Sequence, residues 1–537
     1  MKKLLLLGIV LLQYMSFAQE EHAWVYLSDK ENVASSIANP ISILTQNAID
    51  RKAAYNIPID ERDVPVNENY ITQLKNQNGI TVMAKSKWFN AVYVVGLEVD
   101  INALTTLDFV ESIDFADQSL NVDSRVALQN NKFEVEEASV NFDYGSAQNQ
   151  VEMIGVDHLH LSDFTGEGII IAVLDSGFPN VNTMDAFQRL RDNGDLLGGY
   201  DFVDRNENVF EFAGNEHGTR VLSNMAGFIE DEFVGTAPDA SYYLFRTEDT
   251  FNEMPFEESY WVEAAERADS LGVHIINSSL GYRIFDNPNY SYTPSDMNGN
   301  TAFVTKGANI ANEKGILVVN SAGNSGASTW QTVGAPADAS GVFSIGAVDA
   351  EGNYASFSSQ GTTIQPTQKP DVVAQGEAAA VVNSNNVIIN NNGTSFSSPI
   401  MAGAIASLWQ ALPDATNEDI KQYVRMSASQ FNTPDFFLGY GIPNLEMALE
   451  IGLSLSEEEF VQFKVFPNPA TNSLNIQIPS QTETTNLRIY NVLGKLVLEK
   501  ELTNSETKLD ISAMASGLYM MSFKSEKGSK TFKLIKS

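Results

Sequence analysis

The stretch Ile169-Ile170-Ile171-Ala172-Val173-Leu174-Asp175-Ser176-Gly177 runs six apolar residues, four of them β-branched, straight into an acidic residue and a turn. A short apolar run without polar alternation predicts a strand buried on both faces, as in a parallel sheet. Similar runs recur at Tyr242 to Phe245, Ile275-Ile276-Asn277, Ile316 to Asn320 and Val342 to Val348, with helical patterns over Tyr260 to Leu271 and Asn300 to Lys314. This alternation predicts an α/β fold, a mostly parallel sheet with helices on both faces. Such sheets bind ligands at the C-terminal ends of their strands, where Asp175 emerges, although an Asp there also suits a turn cap.

Three further words lie in the same region. His217 sits in Asn215-Glu216-His217-Gly218-Thr219-Arg220-Val221, where Gly218 allows a tight turn into a helix start. The other histidines, His22, His158, His160 and His274, flank the strands or precede the region and read as structural or surface residues. Gly393-Thr394-Ser395-Phe396-Ser397-Ser398-Pro399 leads into the helical run Ile400 to Trp409, with Pro399 suited to a first helical turn. That places Ser395 at a helix N-terminus, where N–H groups and the helix dipole favour developing negative charge; a plain serine N-cap is the structural alternative. Ser321-Ala322-Gly323-Asn324-Ser325-Gly326 follows another strand and brings an amide side chain to the same sheet edge, making Asn324 a candidate oxyanion donor. An acid, an imidazole base and a hydroxyl nucleophile in one α/β region point to a serine hydrolase. An esterase of the α/β-hydrolase kind needs a Gly-x-Ser-x-Gly elbow, and the sequence has none.

The words Val173-Leu174-Asp175-Ser176-Gly177, His217-Gly218-Thr219, Asn277-Ser278-Ser279-Leu280-Gly281, Ser321-Ala322-Gly323-Asn324 and Gly393-Thr394-Ser395 together resemble the subtilisin-like serine peptidases, in that family's chain order of Asp, His and Ser. The resemblance implies a secreted endopeptidase in which Ser395 attacks, His217 transfers the proton, Asp175 orients the imidazole, and Asn324 with the Ser395 N–H holds the oxyanion. It further implies that Ser279, Leu280 and Gly281 form an edge to which an extended peptide adds as a strand. Ala322, Gly323 and Gly334 would border the specificity pocket, with Gly334 at its base leaving room for a large apolar side chain. Arg220, Phe396 and an apparent insertion from Asp286 to Gly299 depart from the usual pattern. The rival reading is a catalytically silent, protease-like adhesin, against which the intact Asp175, His217, Ser395 and Asn324 speak.

The ends and composition frame this core. Met1-Lys2-Lys3, the apolar run Leu4 to Leu12 and Ser16-Phe17-Ala18 read as a signal peptide over 1–18, too short to span a bilayer. Residues 19–147 read as a small α+β propeptide. Its Ser86-Lys87-Trp88-Phe89-Asn90-Ala91-Val92 is similar to a stretch that precedes such domains in Bacteroidetes proteases, and processing is expected between about Phe142 and Val151. The catalytic domain is expected over 148–453 and a linker over 454–460. Residues 461–537, with short strands between Asn-Pro, Leu-Gly and Ser-Gly punctuation, read as a small all-β sandwich. Val465-Phe466-Pro467-Asn468-Pro469-Ala470 and the closing Lys533-Leu534-Ile535-Lys536-Ser537 resemble the type A sorting domain of the type IX secretion system, which implies that machinery as a partner and an extracellular or outer-membrane-surface location. The net charge of −35 excludes a nucleic-acid partner, and the absence of cysteine excludes thiol catalysis and disulfides. Protein or peptide substrates and a monomeric state are expected. The chemistry requires no cofactor, and the sequence shows no Ca²⁺ loop signature while leaving structural calcium on scattered ligands open.

Overall fold

The computed structural model describes residues 19–121, 145–460 and, towards the C-terminus, 464–477, 485–491, 496–502, 506–512, 514–515, 517–525 and 528–536. The expected signal peptide and the Phe142 to Tyr144 start of the processing window lie outside the described residues. The chain divides into two compact units, one up to Glu446 and one from Met447.

The first unit opens with strands β1 (Glu20–Leu27), β2 (Ile80–Ser86), β3 (Ala91–Leu97) and β4 (Val110–Phe115), and helices α1 (Gln46–Ala54) and α2 (Glu68–Lys75). The strands form an antiparallel sheet in the order β2-β3-β1-β4. Alternation along β1 sends Ala23 and Val25 into this layer's own core, while Trp24 joins the core of the α/β layer beneath. A short helix at Glu98–Ala103 gives way to a 3₁₀ turn at Leu104–Thr106, where Thr105 and Thr106 are poor helix formers.

The α/β layer is built on a seven-stranded parallel sheet. Its strands are β5 (Ile170–Asp175), β6 (Leu196–Asp201), β7 (Ser241–Arg246), β8 (Ile275–Ser278), β9 (Leu317–Ser321), β10 (Phe343–Val348) and β11 (Val372–Gln375). The order is β11-β10-β9-β8-β5-β7-β6, every neighbouring pair parallel. Helix α3 (His217–Ala226) precedes β7, α4 (Phe256–Leu271) precedes β8, α5 (Phe303–Glu313) precedes β9, and α6 (Thr394–Ala411) follows β11. Ala172, Leu174, Ile276 and Val318 cluster with α4 and α5; their alternate neighbours turn to the opposite face, where α6 packs along β8 to β11. The chain runs from β5 outward on one side through β6 and β7, then returns to continue as β8 on the other side. The C-terminal ends of β5 and β8 therefore flank the switch point, the crevice where such sheets take ligands.

Two buried contact sets bind the first layer to the second. The Glu266 carboxylate on α4 accepts hydrogen bonds from Ser86 Oγ and from the N–H groups of Lys87 (2.9 Å) and Trp88 (3.0 Å). A cluster of opposite charges joins Arg51, Lys52 and Asp63 to Asp269 and Lys314, all less than 5% exposed, with Arg51 to Asp269 at 2.6 Å, Lys52 to Asp269 at 2.9 Å and Lys314 to Asp63 at 2.9 Å.

Residues 454–460, expected as a linker, form the end of helix Leu445–Phe460; this stretch of Ser, Leu, Glu and Phe contains neither Gly nor Pro to stop it. In the second unit, Lys464–Phe466, Ser473–Gln477 and Glu506–Asp510 make one antiparallel sheet, and Thr485–Asn491, Leu496–Leu502, Gly517–Ser525 and Gly528–Lys536 make another. Leu474 and Ile476 of the first and Leu487, Ile489 and Phe523 of the second share one core, as a sandwich requires.

Candidate active site

Asp175 ends β5, fully buried, and its Oδ1 accepts hydrogen bonds from the Ser176 N–H (2.7 Å) and Ser176 Oγ (3.1 Å). The first residue of α3, His217, brings Nδ1 to 2.8 Å from the same Oδ1. A carboxylate can only accept, so the Nδ1 that faces it carries a proton. The approach depends on two glycines. A Cβ on Gly218 would fall 2.5 Å from the Gly177 carbonyl oxygen and 3.0 Å from Asp175 Cβ, and one on Gly177 would fall 2.6 Å from the Asn215 carbonyl oxygen. Asn215 also caps the start of α3, its Oδ1 accepting the His217 N–H at 2.8 Å.

Ser395 is the second residue of α6, and Phe396 beside it places its ring 5.9 Å from the His217 imidazole, so the starts of α3 and α6 meet. Ser395 Oγ donates to the Ser279 carbonyl (3.4 Å), and Ser279 Oγ donates to the Ser395 carbonyl (2.8 Å). Pro399, expected in the first helical turn, instead lies inside α6 because the helix begins at Thr394. Asn324 follows β9; its Oδ1 accepts from both the N–H and Oγ1 of Thr394 at 2.9 Å, which turns Nδ2 away from them. The Ser395 N–H lies in the first turn of α6, where no intrahelical acceptor exists.

Ser279, Leu280 and Gly281 run on from β8 without forming a strand of their own, and Tyr282 then pairs with Ala335 in an antiparallel bridge. That bridge sets Gly334 beside them, where an added Cβ would meet only the Tyr282 carbonyl oxygen, at 3.9 Å. Ala322 is buried and Gly323 half-buried next to Asn324, with Gly323 N–H bonded to Thr394 Oγ1 at 3.1 Å. Arg220, one turn beyond His217, pairs with Glu216 and donates to Asn391 (3.0 Å), while Glu216 accepts the Ser384 N–H (2.9 Å); together they strap α3 to the hairpin Ala379–Val382/Ile388–Asn391. The remaining histidines have structural partners or surroundings. His274 Nδ1 accepts the Ile170 N–H and burial pushes its pKa down to about 4, His160 Nε2 meets the Thr236 carbonyl at 3.1 Å, and His22 packs among aromatic rings. Among the described residues no group of three or more His, Asp or Glu could cradle a metal ion.

The same region, residues 166–441, matches the subtilase family, peptidase S8, over just over half of the chain. The chain is a subtilase. Subtilisin DY of Bacillus licheniformis is 30% identical over 303 residues, 56% of this subtilase and 97% of that relative. Subtilisin E of Bacillus subtilis strain 168 is 29% identical over 323 residues, 59% and 75% of the two chains. The fold is shared with an epidermin leader-peptide-processing serine protease from Staphylococcus aureus, at a TM-score of 0.55 and 16% identity, covering 81% of the subtilase and 99% of that chain. Residues 22–134 match the Bacteroidota peptidase S8 propeptide domain and residues 464–537 the secretion-system C-terminal sorting domain. The subtilase is thus a serine peptidase made with a propeptide and carrying a sorting tail for the cell surface or exterior. Among its described residues no helix is long and apolar enough to cross a membrane.

Sequence reasoning named Asp175, His217, Ser395 and Asn324 but missed the residues that hold them in place. Thr394, which aims Asn324, is an ordinary residue in a small-residue run. Asn215 carried a usable signal, a short polar residue two positions before a helix start.

Proposed function

We propose that this subtilase hydrolyses peptide bonds in extended protein segments through an acyl-enzyme, with Asp175, His217 and Ser395 as its triad. The observation that carries the reading is the 2.8 Å bond between His217 Nδ1 and a fully buried Asp175 carboxylate. It fixes the tautomer in which Nε2 takes the Ser395 proton as Oγ bonds to the scissile carbonyl carbon. The carbonyl oxygen becomes an oxyanion, received by Asn324 Nδ2 and the Ser395 N–H. Collapse breaks the C–N bond, His217 returns the proton to the departing amine, and a water molecule repeats the sequence to free the acid. All acids, bases and donors in these steps belong to the chain, so no cofactor enters.

Ser279, Leu280 and Gly281 pair with the substrate backbone, and Ala322, Gly323 and Gly334 border a pocket roomy enough for a large apolar side chain. Gly145 onward belongs with the mature enzyme. Gly145 pairs with Phe233, the Ser146 N–H reaches the Glu232 carbonyl (2.9 Å), and Gln150 exchanges hydrogen bonds with Ala380, so processing falls at the N-terminal end of the Phe142 to Val151 window.

Fluorophosphonate labelling and casein hydrolysis by the full chain, beside Ser395→Ala and His217→Ala, test the mechanism. Both signals should vanish in both variants. A folded, unlabelled and inert wild type would instead favour the silent adhesin.

A further inference from the structure

Arg246 ends β7 and lies in register with Asp175 on one neighbouring strand and with Asp201 on the other. Its guanidinium is buried, with Nη1 donating to Asp201 (2.8 Å) and Asp204 (2.6 Å). These carboxylates occupy its edge and leave its flat face available, and the Phe212 ring covers that face with its centroid 3.5 Å from Cζ. The half-buried ring has further neighbours on its flanks. A Cβ on Gly214 would come within 2.6 Å of Phe212 Cζ, one on Gly177 within 3.1 Å of Cδ1, and Phe251 meets it edge-on at 6.4 Å.

From Phe212 the chain passes through exposed Ala213 and Gly214, wraps its Asn215 carbonyl over Gly177, and delivers His217 to Asp175. Neither Ala213 nor Gly214 has a side chain seated in the core, so the clamp on Phe212 at one end and Asn215 at the other define this path. We infer that Arg246, acting through the ring of Phe212, is a positioning residue that holds the His217 loop in register with Asp175. Arginine suits the task because a planar cation can bind two carboxylates and a ring at once. Lysine could keep the ion pairs but offers no flat face.

This inference rests on the triad reading, and the test separates the two. The full chain and its Phe212→Leu, Phe212→Tyr, Arg246→Lys, double Phe212→Leu/Arg246→Lys and His217→Ala variants are assayed on a peptide p-nitroanilide with an apolar residue before the scissile bond. Rates are expressed per active site titrated with fluorophosphonate, and per mole of folded protein for His217→Ala. Phe212→Leu and Arg246→Lys should each lower kcat about tenfold with KM changed less than about twofold, the signature of lost alignment rather than lost binding. The double variant should be no worse than either single one, and Phe212→Tyr should restore wild-type kcat. Wild-type kcat in Phe212→Leu, whatever its thermal midpoint, or additive losses in the double variant would overturn the inference; should the lysine variant not fold, the Phe212 pair decides it. Full activity in His217→Ala would sink the triad reading itself.

Discussion

Pro399 has no backbone N–H, so the Ser395 carbonyl four residues earlier in α6 receives no helical hydrogen bond. Ser279 Oγ takes up that orphan at 2.8 Å, and Ser395 Oγ answers by reaching the Ser279 carbonyl. The proline that seemed to mark a helix start thus creates the acceptor that ties the proposed nucleophile to the proposed substrate edge. Gly218 shows a second constraint of this kind. With a Cβ 2.5 Å from the Gly177 carbonyl oxygen, Gly218→Ala must push α3 away from β5. The expected result is at least about a hundredfold loss of kcat, the scale of an ångström-sized misplacement, with the protein still folded by circular dichroism. Asp175 was legible because an apolar run ends on it. The reason for Gly218 was not, because the clash it avoids involves Gly177, forty-one positions earlier, and no spacing rule encodes that contact.

Among the elements, β5 and β7 to β10 could be read from the sequence because they are buried on both faces and uninterrupted. β6, at the sheet edge with Gly198-Gly199 inside it, carries no comparable run; β11 and the Ala379–Val382/Ile388–Asn391 hairpin went unread although Val372-Val373-Ala374 is as apolar as β8. Helix α4 carries a pH dependence that no residue pattern announces. Burial under the propeptide pushes Glu266 up to about 7, with Lys87 opposing the shift. Once the propeptide leaves, α4 faces water and the carboxyl returns towards its ordinary 4.5. A group whose pKa is higher in the bound state stabilises that state most below the free value and loses the effect as pH rises through the bound value. Propeptide retention therefore weakens as pH rises from about 4.5 to about 7, by up to about 3 kcal/mol in all. His22, pushed down to about 4 by burial, acts in the opposite sense and only below about 6.5. Between pH 6.5 and 8.5 Glu266 accounts for about the last 1 kcal/mol of that loss, so isothermal titration of the processed protein with its propeptide should show Kd rising about fourfold. Glu266→Gln should flatten that difference; an unchanged difference would remove Glu266 from the account.

At the scale of the molecule, charge divides as the architecture does. Phe460 to Ser537 holds ten Lys/Arg against six Asp/Glu in a chain of net −35. The sorting domain matched over 464–537 should therefore be separable from folding of the α/β layer. Deleting Val461 to Ser537 should leave labelled, active enzyme in the periplasm, as cell fractionation would show; unchanged export would reject the tail as the address. The exported wild type should begin between Phe142 and Gly145 on N-terminal sequencing, and a start at Gln19 would remove propeptide processing from the account. The general division into three parts was legible from punctuation and composition, but the helical stretch at 454–460 was not, since a charge run reads equally well as linker or helix. The charge cluster of Arg51, Lys52 and Asp63 with Asp269 and Lys314 has a genetic consequence. Its members are encoded more than two hundred codons apart, so a recombination event that exchanges the catalytic segment alone would separate two halves of one lock. Lineages of this gene should inherit codons 51 to 63 and 269 to 314 as a linked set, and chimaeras that break the linkage should emerge unable to mature.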